Sequence, residues 1–250
     1  MKLFILFFMM FSYEPASAVS LPDLIDKTKK SIVAVGTYMP RRSPKGEFRG
    51  TGFAIGNGKL IVTNAHVLPD KLDIANFETI AVFFHQKKQI KMVKVKTVAI
   101  DKVHDIAILK LLTDSLPVLK LDSTRVREGQ AIAFTGFPIG MVLGLYPVTH
   151  RGIVSAISPV VIPMLRSKQL NTKLLKRLRE PFNVYQLDGT AYPGNSGSPV
   201  YDTETGYVIG IVNKVFVKES KENVLSKPSG ITYAIPIRHL NELLKKYKLI

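Results

Sequence analysis

The chain has 250 residues, 46% of them hydrophobic, which is enough for one large domain or two small ones with a proper core. No apolar run reaches membrane-spanning length, and the absence of cysteine excludes a scaffold held by disulfides. The formal net charge of +16 favours contact with anionic envelope surfaces. Aromatic and basic residues are not interleaved, so we expect no specific nucleic-acid partner.

The N-terminal sequence has the pattern of a signal peptide. One basic residue precedes a short apolar run that ends at Phe11, and Ala16-Ser17-Ala18 fits an A-x-A cleavage site. We predict a signal peptide over 1–18, cut after Ala18, and export to the periplasm or out of the cell. An uncleaved membrane anchor is the alternative, and the shortness of the apolar run disfavours it.

The first half of the chain alternates short apolar segments with turn signals. A short amphipathic helix is predicted over 21–30, and the loop over 38–50, rich in Pro, Arg, Lys and Gly, is expected to be basic and mobile. Gly56-Asn57-Gly58 indicates a hairpin between two strands. Strands are predicted over 31–35, 51–55, 60–63, 80–84, 93–98 and 105–110.

A second series of strands follows a linker near residues 113–128. Strands are predicted over 131–135, 152–157, 184–187, 207–212 and 231–237, and a basic helix closes the chain over 238–248. The pattern indicates an all-β protein, with a first half over 19–120 and a second over 121–250. An insertion over 158–183 carries a basic amphipathic segment, which either packs on the second half or touches a membrane or partner.

One serine stands between two glycines in the stretch from Tyr192 to Pro199. Serine becomes a nucleophile only if a base removes its proton and donors hold the oxyanion that forms on the substrate. Flexible glycines allow the N–H groups of Gly194 and Ser196 to point at one spot, as an oxyanion hole requires. A plain turn between strands is the competing interpretation.

A base and an acid are available elsewhere in the chain. His66 lies just past a buried-looking strand, where one ring nitrogen can face a serine and the other a carboxylate. Asp105 opens an apolar strand, so its carboxylate needs a hydrogen-bond partner. Asp101, four residues earlier, is the rival acid in a more polar setting. The five histidines show no metal-ligand spacing, so we expect no metal and no cofactor.

The order His66, Asp105, Ser196 is that of chymotrypsin, and the chain resembles chymotrypsin-fold serine endopeptidases, close to the HtrA/Deg branch. The resemblance rests on GTGFAI at 50–55, TNAHV at 63–67, DIAIL at 105–109, GFPIG at 136–140, GIVSAI at 152–157, PGNSGSPV at 193–200, VIGIV at 208–212 and GITYAIPI at 230–237. It implies two perpendicular six-stranded β-barrels with a short N-terminal and a C-terminal helix. The triad would lie between the barrels, with an oxyanion hole from Gly194 and Ser196.

Three departures from the family pattern stand out. Asn195 replaces the aspartate that pairs with a freshly cut N-terminus in digestive enzymes. Ser198 stands where the HtrA branch usually has glycine, which is more like glutamyl endopeptidases, but Val212 stands where that branch has its substrate-reading histidine. No PDZ domain is expected after the protease segment, unlike in most HtrA relatives.

Thr190 occupies the place where trypsin-like enzymes keep an aspartate for basic substrates. With Ile211, Val212 and Asn213 as the wall of the specificity pocket, we predict cleavage of protein or peptide substrates after small apolar residues. The alternatives are a secreted protease like the glutamyl endopeptidases, and a basic surface-binding protein that kept the fold without turnover.

Overall fold

The computed structural model describes residues 20–86, 89–138, 144–160, 182–213 and 231–250. The predicted leader over 1–18, with its cleavage site, lies outside the described residues. So do residues 161–181, which make up most of the predicted insertion over 158–183.

Six antiparallel strands close into a first barrel. The strands are β1 (Ile32–Tyr38), β2 (Gly46–Ile55), β3 (Leu60–Asn64), β4 (Thr79–Gln86), β5 (Gln89–Asp101) and β6 (Ile106–Leu111). Around the barrel they follow the order β1-β2-β3-β6-β5-β4. Val93 is buried in β5 while Lys94 and Lys96 are exposed, as the alternation of apolar and basic residues predicts.

A second barrel repeats this connectivity. Its strands are β7 (Ala131–Gly136), β8 (Val148–Pro159), β9 (Asn183–Asp188), β10 (Pro199–Asp202), β11 (Val208–Asn213) and β12 (Ile231–Pro236). They follow the order β7-β8-β9-β12-β11-β10, which is the order of the first barrel advanced by six strands. The predicted fold of two six-stranded barrels is confirmed.

Both predicted helices are present. Helix α1 (Leu21–Lys29) begins after Ser20, whose hydroxyl accepts the N–H of Asp23, and its Leu24 packs on Tyr201 of the second barrel. Helix α2 (Ile237–Lys246) buries the apolar face predicted from the sequence, formed by Leu240, Leu243 and Leu244. In the described part of the chain, neither helix is long and apolar enough to cross a bilayer.

A shared hydrophobic cluster joins the two barrels. It includes Phe53 of β2, Ile211 of β11 and Leu240 of α2, all of which are fully buried. Because the cluster takes residues from both barrels and from α2, burial of its apolar surface fixes the barrels against each other. The loops that carry the predicted site residues meet along this junction.

Three local predictions need correction. The loop predicted over 38–50 is shorter, because β1 runs to Tyr38 and β2 begins at Gly46, and these ends pair with each other. The sequence did not predict β10, which pairs with β7 and β11. Asp105 does not open β6 but precedes it, in a left-handed conformation with φ 58°.

Candidate active site

His66 and Asp105 meet at the rim of the first barrel. His66 lies in a single 3-10 turn (Ala65–Val67) directly after β3, and Asp105 directly precedes β6, which pairs with β3. The His66 Nδ1 atom lies 2.6 Å from Asp105 Oδ2, and the His66 backbone N–H donates to Asp105 Oδ1 at 2.9 Å. An imidazole that donates Nδ1–H to a carboxylate leaves Nε2 free to accept a proton.

Asp105 is buried to 1% exposure, and a third donor satisfies it. The Asn213 side-chain amide donates to Asp105 Oδ2 at 2.9 Å, across the junction from the second barrel. Burial by itself would raise the pKa of Asp105, but the hydrogen bonds from His66 and Asn213 hold it below its ordinary value. Asp105 is therefore an anion at neutral pH and keeps the His66 ring oriented.

The rival acid, Asp101, serves a different histidine. Its Oδ2 lies 2.6 Å from Nδ1 of His104, and its Oδ1 accepts the N–H groups of Val103 and His104. Burial opposes ionisation, yet the bonds to His104 outweigh it and lower the pKa of Asp101 to about 2. Asp101 thus closes a tight turn, and Asp105 is the acid in contact with His66.

The loop around Ser196 is a hydrogen-bonded turn between β9 and β10. Gly194 and Gly197 adopt positive φ values of 101° and 89°, which L side chains rarely adopt. Neighbouring N–H groups are engaged, since Asn195 donates to the Tyr192 carbonyl and Gly197 donates to the Val212 carbonyl, each at 3.0 Å. Among the described residues, the N–H groups of Gly194 and Ser196 donate to no backbone carbonyl.

The Ser196 loop lies against the first barrel near Val67, the residue after His66. The Ser196 carbonyl accepts the N–H of Thr51, and a Cβ placed on Gly50 would touch both this carbonyl and the side chain of Val67. The hydrogen bonds of His66 within the described ranges go to Asp105, and none goes to Ser196. In enzymes that use a serine and a histidine together, the bond between them is often long without substrate and tightens when substrate binds.

The Ser196 loop carries two buried polar side chains. Asn195 and Ser198 are both wholly buried, and neither Ser198 Oγ nor the Asn195 amide has a partner in the described part of the chain. A Cβ on Gly136 would lie 2.0 Å from Ser198 Oγ and 2.9 Å from Asn195 Oδ1. Glycine at 136 therefore makes the room that the Ser198 hydroxyl occupies.

The predicted wall of the specificity pocket needs correction. Ile211 belongs to the cluster between the barrels, Val212 to the core of the second barrel, and both are fully buried. Asn213 bonds to Asp105 rather than facing an open pocket. Only Thr190 is partly exposed, so it alone of the four remains a candidate for contact with substrate.

A separate cavity of about 680 Å³ lies between the linker residues 123–128, Tyr185 and the start of α2. None of the predicted site residues lines it. Three arginines, Arg125, Arg127 and Arg238, and one acidic residue, Glu128, are among the residues that line it, so the cavity is basic on balance.

Sequence comparisons assign the chain to a family. Residues 50–211 match the family described as "Trypsin-like peptidase domain". The chain is 33% identical over 189 residues to a probable periplasmic serine endoprotease DegP-like of Halomonas elongata, covering 75% of this chain and 32% of that protein. It is 30% identical over 225 residues to a protein with the same description from Pseudomonas fluorescens, covering 89% and 41%. The chain thus spans about a third to two fifths of the length of these relatives.

Solved structures share the fold. "Crystal structure of Deg5" superposes with a TM-score of 0.63 at 23% identity, covering 88% of this chain and 90% of that one. A serine endoprotease from Yersinia pestis superposes with a TM-score of 0.62 at 22% identity, covering 92% and 66%. Together with a family match over most of both barrels, this shows that the chain belongs to the trypsin-like peptidase domain family, with DegP/HtrA serine endoproteases among its relatives.

Proposed function

We propose that this chain is a serine endopeptidase in which Ser196 attacks the peptide carbonyl, His66 is the general base and Asp105 orients it. The observation that carries the proposal is the contact of 2.6 Å between His66 Nδ1 and a buried, ionised Asp105. Membership of a peptidase family and the serine endoprotease relatives support it.

The reaction follows from these positions. Ser196 Oγ loses its proton to His66 Nε2 as it bonds to the substrate carbonyl carbon, and the carbonyl oxygen becomes an oxyanion. The N–H groups of Gly194 and Ser196 hold this oxyanion, and Asp105 stabilises the imidazolium. His66 then delivers the proton to the leaving amine, and water hydrolyses the acyl-enzyme by the same route.

Substrate preference and location are further parts of the proposal. Thr190 stands where trypsin-like enzymes keep an aspartate and offers no carboxylate of its own to Lys or Arg, so small apolar residues are expected before the cleaved bond. Relatives named as periplasmic support export to the bacterial envelope. Peptide libraries test the preference, and strong cleavage after Arg, Lys or Glu contradicts it.

Labelling with a fluorophosphonate tests the chemistry directly. The wild-type chain should label and should cleave an unfolded protein, whereas S196A should do neither. H66Q should also lose labelling, because the hydroxyl is a poor nucleophile without its base. Turnover should fall by about a millionfold in either variant. Labelling that persists in S196A contradicts the assignment of the nucleophile, and an unlabelled wild type favours a surface-binding protein.

A further inference from the structure

Thr51 contacts the nucleophile loop from the opposite barrel. It lies in β2, is fully buried, and makes three hydrogen bonds across the junction. Its backbone N–H donates to the Ser196 carbonyl at 2.8 Å. Its hydroxyl donates to the Gly194 carbonyl at 2.7 Å and accepts the Phe137 N–H at 3.0 Å. The two carbonyls that Thr51 holds lie on either side of Asn195.

These bonds enclose one particular peptide group. The peptide between Gly194 and Asn195 is held at its oxygen by the Thr51 hydroxyl and at its N–H by the Tyr192 carbonyl. The peptide between Ser196 and Gly197 is held at its oxygen by the Thr51 N–H and at its N–H by the Val212 carbonyl. The middle peptide is also held at its own oxygen, because the Asn195 carbonyl accepts the Ser198 N–H at 3.0 Å, so hydrogen bonds on all three peptides restrict its rotation. That middle peptide carries the Ser196 N–H.

Thr51 is also attached to the strand that leads to the general base. The Thr63 hydroxyl donates to the Thr51 carbonyl at 2.7 Å, and Thr63 lies in β3, three residues before His66. The packing here is close, since a Cβ on Gly197 would lie 2.1 Å from the Thr51 carbonyl oxygen and 2.6 Å from Thr63 Oγ1. The backbone that precedes His66 and the loop of Ser196 are therefore held through the same threonine.

We propose that Thr51 is a positioning residue, whose hydroxyl lets the first barrel orient the oxyanion-binding N–H of Ser196 in the second barrel. This role rests on the proposed function. A β-branched side chain has few rotamers, and a hydroxyl that must donate to one partner and accept from another is fixed in one orientation. Thr51 acts through the loop and does not itself touch the reacting atoms.

The variants T51V, T51A and T51S test the role through steady-state kinetics. T51V keeps the shape but removes the hydroxyl, so we expect kcat to fall by about 10- to 100-fold, somewhat less than the loss of an oxyanion donor. KM should change by less than about threefold, because the bond orients a group that acts mainly in the transition state. Labelling by the fluorophosphonate should slow in parallel, and T51S, which keeps the hydroxyl, should restore kcat to within about fivefold.

T37V is the matched control. Thr37 is a buried threonine of the same barrel, but its hydroxyl bonds to Glu78, away from the nucleophile loop. T37V should lose thermal stability without a comparable loss of kcat. Each variant is assayed well below its own melting temperature, and T51A carries the same test if T51V does not fold.

Two results overturn the role of Thr51. One is an active wild type in which T51V and T51A keep kcat within about twofold, and the other is a loss in T37V as large as in T51V. Either result leaves the proposed function intact. A wild-type chain that neither cleaves nor labels overturns the proposed function and the role of Thr51 together.

Discussion

The Asp105 carboxylate accepts hydrogen bonds from both barrels, because Asn213 of the second barrel adds a donor to those of His66. His66 supplies two of the three hydrogen bonds to the carboxylate, and Asn213 supplies the third from the end of β11. A buried anion without full hydrogen bonding is costly, so the second barrel helps to keep Asp105 ionised. The placement of the acid is therefore a property of the junction and not of the first barrel alone.

We expect N213A to lower kcat by about tenfold, since a hydrogen bond to a charged group contributes about 1.5 kcal/mol or more. KM should change little, because Asn213 contacts the acid rather than the substrate in this proposal. Steady-state kinetics on a peptide substrate measure both. N183A, at the exposed start of β9, is the control and should behave as wild type. Equal kcat values in N213A and N183A contradict the role.

Gly136 and Ser198 form a pair in which one residue makes room for the other. We expect G136A to destabilise the protein by about 2–3 kcal/mol, because its Cβ would collide with Ser198 Oγ. G136A/S198G should recover part of this loss, since the remaining contacts at 2.9 Å are less severe. S198G alone should be nearly neutral because it removes a buried hydroxyl that has no partner among the described residues.

Thermal or urea unfolding measures these three variants. G189A is the control, because its Cβ would approach the Phe134 ring no closer than 3.3 Å. If G136A unfolds at the same urea concentration as G189A, the packing around Ser198 is looser than the structure indicates.

The sequence predicts site residues whose side-chain chemistry stands out locally, and it does not indicate residues that matter only through contacts in the folded chain. His66 and Asp105 were predicted because each stands beside an apolar strand, where an imidazole or a carboxylate needs a partner. The sequence around Asn213 and Thr51 shows no such signal. Their partners Asp105 and Gly194 lie 108 and 143 positions away along the chain. Such pairs become neighbours only when two barrels meet, so no local pattern can show them.

At the scale of elements, strands with an apolar face were predictable and short or charged ones were not. The first residues of β2 alternate between intermediate and exposed positions. Their Gly, Glu and Arg residues are more typical of a loop than of a strand. They are strand because they pair with the end of β1. The four-residue β10 starts at Pro199, which a strand tolerates at its first position. Pairing in three dimensions decides both cases.

Helix α2 holds a stacked pair of histidines against the first barrel. His239 of α2 lies 3.9 Å, ring centre to ring centre, from His104, and the edge of Phe182 contacts both rings. Burial, followed by the charges of His104 and Arg238, lowers the pKa of His239 from 6.5 to about 4, while Glu242 opposes the shift. His104 in turn bonds to Asp101. Because His239 is buried, its protonation places a positive charge within the stacked rings.

This lowered pKa makes stability depend on pH. Between pH 6.5 and about 4 the unfolded chain binds a proton at His239 that the folded chain does not. The contribution is complete above pH 6.5 and is lost as the pH falls through this range, by at most about 3 kcal/mol. Carboxylates whose pKa is lowered, such as Glu78, change stability below about pH 4.5, so their effect is separate from the upper part of this range.

Urea unfolding between pH 4.5 and 7 measures the effect, with the change in unfolding free energy per pH unit as the readout. H239Q should reduce the dependence of stability on pH. Part of the dependence should remain, because burial also lowers the pKa of His150. The control is H85Q, at the exposed end of β4, which should keep the wild-type dependence. A dependence as steep in H239Q as in wild type contradicts the assignment.

At the scale of the whole molecule, the helix at each end of the described chain helps to hold the two barrels together. Helix α1 precedes the first barrel yet packs on the second, through Leu24 against Tyr201. Helix α2 follows the second barrel and buries Leu240 in the cluster shared with the first. The sequence predicted both helices and two β halves. It could not predict these attachments, because an amphipathic face specifies burial and not the surface that provides it.

The charge of the molecule predicts its behaviour at anionic surfaces. The net charge of +16 corresponds to a pI of about 9.9, and exposed lysines such as Lys94, Lys96 and Lys110 stand side by side on β5 and β6. We expect the chain to bind vesicles that contain anionic lipid and not neutral vesicles. Binding should weaken markedly between about 50 and 300 mM salt, because screening shortens the reach of exposed charges.

Sedimentation with vesicles, using S196A to prevent self-cleavage, measures the bound fraction. Reversing the three lysines in K94E/K96E/K110E lowers the charge by six and should release much of the bound protein. A matched reversal at the C-terminal end of α1 and the residue that follows it, K27E/K29E/K30E, removes the same charge from another region and should release a similar amount if overall charge governs binding. Binding that is insensitive to salt, or equal on neutral vesicles, would mean that apolar contact and not charge holds the protein at the surface.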